Sequence, residues 1–147
     1  MNKIKLQVGN WSAFKIISLI NIPYDQEYFI LKNEQDNKFL LPTIYYKNYN
    51  LKLNQILICR VDKMNCRGRI FLEPMHPYYY EGETYDFKFL KFDKIQYKKE
   101  QIKAIIVKDI LGNEGYVCNY DSKIQLNENI KCKVEKIKKG KLYLTMA

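Results

Sequence analysis

One histidine, four cysteines and sixteen carboxylates are the groups in this 147-residue chain with acid–base, nucleophilic or metal-binding chemistry. The histidine, His76, sits in "PMHPYYYEGETYDF" (74–87), between Pro74 and Pro77. A general base needs a nucleophile or an acid within hydrogen-bond reach, and no Ser, Cys or carboxylate stands at a recognisable spacing from it. His76 therefore reads as a structural residue of a fixed loop. The cysteines (Cys59, Cys66, Cys118, Cys132) contain no C-x-x-C pair, so the chain lacks the spacing of a zinc site. Cys66 has Arg67 and Arg69 beside it, which favour a thiolate, but no base accompanies it. A hydrolase built on His76 and Cys66 is thus the weakest reading. Without a phosphate-cradling glycine loop, a matched carboxylate pair or a ligand cluster, the sequence predicts no catalysis, no metal and no cofactor.

The charge points elsewhere. The formal net charge is +9 and aromatic residues make up 14% of the chain. A cationic surplus combined with many aromatic rings suits a single-stranded polyanion. A codon bias toward Lys, Asn, Ile and Tyr is the plainer source of the same composition. The surplus is shared: residues 1–74 carry 11 Lys and Arg against 6 acids, and residues 75–147 carry 14 against 10. No apolar run approaches the roughly 20 residues that cross a bilayer. The opening "MNKIKLQVGN" has charges where a signal peptide needs an apolar stretch, so the expected location is cytoplasmic.

The elements that must carry these charges recur. "LNQILICRVDKMNCRGRIFLEP" (53–74) aligns with "LNENIKCKVEKIKKGKLYLTM" (126–146), placing Cys59 on Cys132, Arg60 on Lys133 and Val61 on Val134. "SAFKIISLINI" (12–22) lies over "YDFKFLKFDKI" (85–95), "FILKN" (29–33) over "IIVKD" (105–109), and "KFLLP" (38–42) over "GYVCN" (115–119). The periodicity is that of strands: Leu57, Cys59 and Val61 alternate with Ile58, Arg60 and Asp62. Cys59 and Cys132 fall on the apolar phase, as core thiols. In the first strand of each copy the phase slips, after Phe14 and Ile16 to Ile17 and Leu19, and after Phe87 and Phe89 to Leu90 and Phe92. A slip at one place predicts a bulge that bends the strand, as a small five-stranded barrel requires. "TIYYKNYNLK" and "YDSKIQLN" are expected to hold a helical turn each.

"EGYVCNYDSKIQLNENIKCKVEKIKKGKLYL" resembles the second half of an S1-type RNA-binding domain, a member of the OB-fold class. The resemblance rests on Gly115-Tyr116-Val117 and Gly140-Lys141-Leu142-Tyr143-Leu144, and in the first copy on Lys38-Phe39-Leu40 and Gly68-Arg69-Ile70-Phe71-Leu72. It implies RNA binding on the barrel surface, with Phe39 and Tyr116 as the remaining strand-three aromatics. S1 domains often carry a strand-two aromatic and a His after the strand-three Val; here those positions are Ile30 and Ile106, and Leu41 and Cys118.

The sequence thus predicts a mainly β protein of two tandem five-stranded OB/S1-like barrels. Their expected bounds are 1–74, with an extra strand at about 3–8, and 82–147, with a Pro/Tyr-rich joint at 75–81 that wedges them together. The expected function is non-catalytic binding of single-stranded nucleic acid, RNA before DNA, with little sequence preference. The expected phosphate contacts are Lys32, Arg60, Arg67, Arg69, Lys108, Lys131, Lys133, Lys138 and Lys141, with Lys139 beside them, and bases stack on Phe39, Tyr116, Tyr46 or Tyr120. The alternative is a protein-interaction or assembly module on the same barrels, an accessory subunit of a larger complex. It is motivated by Ile30 and Ile106 standing where base-stacking aromatics are expected.

Overall fold

Alternating apolar and polar side chains make this chain almost entirely strand. The computed structural model describes residues 6–118, 120 and 128–147. The chain divides into two compact units, Met1–Met75 and His76–Ala147. In the first, β1 (Trp11–Asn21), β2 (Glu27–Lys32), β3 (Lys38–Pro42), β4 (Ile56–Met64) and β5 (Ile70–Pro74) form a five-stranded sheet in the order β3-β2-β1-β4-β5. In the second, β6 (Thr84–Tyr97), β7 (Glu100–Lys108), β8 (Glu114–Val117), β9 (Asn129–Lys138) and β10 (Lys141–Met146) pair in the order β10-β8-β7-β6-β9. There β9 also pairs with β10, so the pairing closes on itself.

Both expected bulges are present. The β1–β2 register shifts between Ile16 and Ser18, and the β6–β7 register shifts between Phe89 and Lys91. A side-chain phase that slips by one residue keeps an apolar face on the core only if the backbone absorbs an extra residue. A further pair of shifts skips Asp62 in β4–β5 and Glu135 in β9–β10. The expected helical turn after β3 is a 3-10 helix, Ile44–Tyr49, ended by Asn50 in the left-handed region (φ 56). Most of its expected counterpart at 120–127 lies outside the described residues.

The β2–β3 and β7–β8 turns are built alike. Asn33 Oδ1 accepts the N–H groups of Gln35 and Asn37, and Asp109 Oδ1 accepts those of Leu111 and Asn113. These equal turns correct the alignment of strand three by one residue. Leu31 pairs with Phe39 and Val107 with Gly115, so Phe39 corresponds to Gly115 and Leu40 to Tyr116. Phe39 faces inward, its ring edge-on to the buried Phe14 at 5.4 Å. Gly115 leaves room instead: a Cβ there would meet Val107 Cγ2 at 3.0 Å and Leu142 Cβ at 3.5 Å. That room takes the Val107 side chain of the paired strand β7, and on its other side β8 runs beside β10 as a parallel pair, Leu142 opposite Gly115. In the first unit β3 and β5 occupy the two ends of the sheet order, and Tyr46, after β3, donates its hydroxyl to Glu73 on β5 at 3.0 Å.

The chain enters β1 and β6 through matched turns. Gly9 (φ 92) donates to Val61 O at 2.8 Å, and Gly82 (φ 90) donates to Val134 O at 2.7 Å. Residues 6–8 of the extra strand expected at 3–8 are therefore turn and approach rather than strand; residues 3–5 lie outside the described residues. From His76 onward the Pro/Tyr-rich segment is part of the second unit. Tyr79 is buried in its core, stacked on Phe87 at 5.5 Å and edge-on to Tyr85 at 4.9 Å, while Tyr78 and Tyr80 are exposed.

Candidate nucleic-acid interface

Inward residues fill each sheet's core, so the chemistry must lie on the outward phase. In the second unit the cross-strand pairs put Lys136 opposite Tyr143, Tyr143 opposite Tyr116, Tyr116 opposite Ile106, and Ile106 opposite Lys91. This is one row across five strands, β9-β10-β8-β7-β6, with a lysine at each end. Its middle is a second apolar cluster outside the core: Ala104, Ile106 and Tyr116, with Ile95, Cys118 and Tyr143 packed on it. Tyr116 is 7% exposed and backs the cluster, while Tyr143 and Tyr97 are half-buried and present ring surface. The rings of Tyr97 and Tyr143 lie 5.5 Å apart, and those of Tyr143 and Tyr116 5.6 Å.

Cations sit on these rings. Lys141 Nζ lies 5.6 Å from the Tyr116 centroid, and Lys98 Nζ 5.3 Å from that of Tyr97. The hydrogen bond to Tyr116 is the main cause that raises the Lys141 ammonium above its ordinary range, and burial pushes the Tyr143 phenol up. Tyr116 in turn donates to Glu114 Oε2 at 3.2 Å. Lys141 stays charged and the Tyr143 phenol neutral at neutral pH, the state that suits a base stacked beside a phosphate.

The first unit carries a smaller relative of this arrangement. Phe71, opposite Lys63 in the pairing, holds Arg69 Cζ at 4.9 Å and Lys63 Nζ at 5.8 Å from its ring. The turn beneath is fixed by Asn65 Oδ1, which accepts the N–H groups of Arg67 and Arg69. Lys139 and Gly140 make the matching turn of the second unit with φ of 51 and 73, the two-residue geometry that suits a twisted hairpin.

The sequence-predicted residues separate into two groups. Arg67, Arg69, Lys138 and Lys141 flank these two turns and are exposed. The charged phase of strand four is matched by acids. Arg60 points outward as alternation requires, yet it is only 9% exposed, beneath Trp11 at 5.6 Å and bonded to Asp62 at 3.2 Å. Lys133 faces Glu135 at 3.9 Å, and Lys131 lies cross-strand from Asp86. Lys32 pairs with Asp36 at 3.1 Å, and Lys108 is exposed at the end of β7. Phe39 is half-buried on the core side against Phe14 and Tyr46 is 4% exposed, so neither offers a ring face on the outer surface. Tyr120 lies against Phe92 at 5.4 Å. Sequence reasoning missed Tyr143, Tyr97, Lys91 and Lys136. The signal was present in "GKLYL", where Tyr143 lies between two core leucines and must therefore face out.

His76 is not part of this surface. It is 2% exposed; its Nδ1 accepts the N–H groups of Tyr78 and Tyr79, and its Nε2 faces Asp109 Oδ2 at 3.6 Å. With Nδ1 accepting, the ring proton resides on Nε2, toward the carboxylate. Among the described residues no cluster of His, Cys, Asp and Glu has the makings of a metal site, all four cysteines are free, and no helix is long and apolar enough to cross a membrane. No protein-family model matches the chain, and no curated protein matches it.

Proposed function

We propose that this chain is a non-catalytic, cytoplasmic binding protein for single-stranded nucleic acid, RNA before DNA, built from two related S1-like units of the OB-fold class. The observation that carries the reading is the outward row Lys136–Tyr143–Tyr116–Ile106–Lys91, with the half-buried Tyr143 ring beside the buried Tyr116 in the middle and lysines at its ends. Bases stack on Tyr143 and Tyr97 while Lys136, Lys138 and Lys141 meet phosphates; Lys91 at the far end is answered by Asp93 at 3.5 Å. The Phe71–Arg69–Lys63 group is the corresponding contact of the first unit. The paired bulges, matched turns and equal entry glycines support a common origin of the units, and the five-strand pairing supports the OB class. Sequence preference is slight, because the row presents rings and ammonium groups rather than amides that read base edges. The test is a titration of a random RNA 20-mer over a salt series. Binding whose log–log salt slope steepens by about 0.7 per phosphate contact supports the reading, and no binding at low salt sinks it.

A second reading has its own observation. Trp11, Ile56 and Ile58 form an exposed apolar stripe on the outer face of β1 and β4 (46%, 61% and 38% exposed), where the second unit carries Thr84, Asn129 and Lys131. A stripe of this kind favours a protein-interaction or assembly role for the first unit.

A further inference from the structure

The second unit closes one end of its core with a ring from its own chain. The Tyr79 ring stacks on Phe87, and its hydroxyl accepts the Ile110 N–H at 2.9 Å. The same place in the first unit can be found from hydrogen bonds alone. Gly9 and Gly82 make the same bond to Val61 and Val134, which sets Leu6 in the position of Tyr79. Ser12 pairs with Cys59 as Tyr85 pairs with Cys132, and Ala13 with Ile58 as Asp86 with Lys131. Asn33, Glu34 and Gln35 stand where Asp109, Ile110 and Leu111 stand, by the matched turns.

Those six first-unit residues, Leu6, Ser12, Ala13, Asn33, Glu34 and Gln35, line a cavity of about 110 Å³. Its cause lies in the sequence: leucine and serine replace the packed rings of Tyr79 and Tyr85. The size is that of one ring, since a cavity of about 150 Å³ takes up a single benzene. Its rim is polar, with the Ser12 hydroxyl, the Asn33 and Gln35 amides, and the backbone N–H of Glu34 in the place from which Ile110 bonds the phenol oxygen.

We propose that this cavity is a pocket for one six-membered ring with a hydrogen-bond acceptor at its edge, and that its occupant is a pyrimidine base of the bound strand. The inference rests on the nucleic-acid reading above and adds a base preference to it. A pyrimidine carries carbonyl oxygens for the Glu34 N–H and further edge groups for Ser12 and Gln35. A phenol uses one such partner, and a purine carries a second fused ring.

The experiment follows backbone amide shifts of the full chain during titration with uridine monophosphate, adenosine monophosphate or N-acetyltyrosinamide. The expected result is saturable shifts at Ala13, Glu34 and Gln35 with the uridine nucleotide, and binding weaker by about tenfold or more for the adenosine nucleotide, the penalty of a misfitting group. Leu6→Tyr supplies the ring that Tyr79 supplies in the second unit. It should abolish these shifts, raise the melting temperature and weaken binding of an oligouridine 20-mer, while affinity for an oligoadenosine 20-mer, which does not use the pocket, stays within about twofold. If that variant fails to fold, Ser12→Tyr supplies from β1 the ring that Tyr85 supplies in the second unit. Absent uridine shifts, equal binding of both nucleotides, or preference for the tyrosine amide overturns the pocket. RNA binding without uridine shifts removes the pocket alone, whereas loss of RNA binding by the unaltered chain removes the nucleic-acid reading.

Discussion

At the scale of single residues, the one histidine shows how burial decides a role. A loop histidine with a merely local role would cost about 1–2 kcal/mol on removal. Here the ring is 2% exposed, satisfies two N–H groups and faces a buried carboxylate, so His76→Ala leaves Asp109 and the Tyr78 and Tyr79 amides poorly compensated. The expected cost is about 3 kcal/mol, read from chemical denaturation, with RNA affinity of the folded fraction unchanged. Loss of binding in a folded variant would contradict the structural role. The buried thiols give a second expectation. Burial pushes Cys132 from its ordinary value of 9.0 up to about 11. A raised folded pKa favours folding fully below the unfolded value, and that contribution is lost as pH rises toward the folded one. The melting temperature should therefore fall between about pH 9 and pH 11, and Cys132→Val should flatten that fall. An unaltered slope would show that other groups govern alkaline unfolding.

At the scale of elements, the strands and bulges were legible because their signal is local. The phase slip after Ile16 and Phe89 lies within a few residues, and the backbone has one way to absorb it. Strand three was harder to read. Its residues "KFLLP" and "EGYVC" fit each other about equally well in two registers, and only the Asn37 and Asn113 turn positions separate them. That offset of one residue turned Phe39 from an expected stacking ring into an inward-facing, half-buried one. The aligned segments 85–95 and 105–109 cover only part of the second unit's first hairpin. β6 and β7 continue to Tyr97 and Glu100 because Ile95, Ile102 and Ala104 keep an apolar outer phase, and this extension carries Tyr97 to the row. Gly115 gives the element-scale prediction. Gly115→Ala forces a methyl to 3.0 Å from Val107 Cγ2 on the paired strand β7, at an expected cost of about 1–3 kcal/mol by denaturation. Phe39→Ala should cost less than the about 3–5 kcal/mol of a fully buried ring, because Phe39 is half-buried. Equal stability of Gly115→Ala and the unaltered chain would refute the close approach of β7 and β8 at this glycine.

At the scale of the whole molecule, a net charge of +9 had to be located before it meant anything. Much of it is answered locally: Arg60 by Asp62, Lys133 by Glu135, Lys32 by Asp36, and Lys91 by Asp93. What the sequence could not weigh is this pairing, since the acid on the same outward phase becomes a neighbour only after the strands are registered. The remaining concentration of cations and rings is the row of the second unit and the turn beside it. The most direct test replaces Tyr97 and Tyr143 with leucine, which keeps apolar cover over Ala104 and Ile106 while removing the stacking faces. Affinity for a random RNA 20-mer is measured across salt, with thermal melts to establish folding. The account predicts a loss of about 1–3 kcal/mol per stacked base with the salt slope retained, because the lysines are intact. A folded double variant that binds RNA as tightly as the unaltered chain would contradict the central claim.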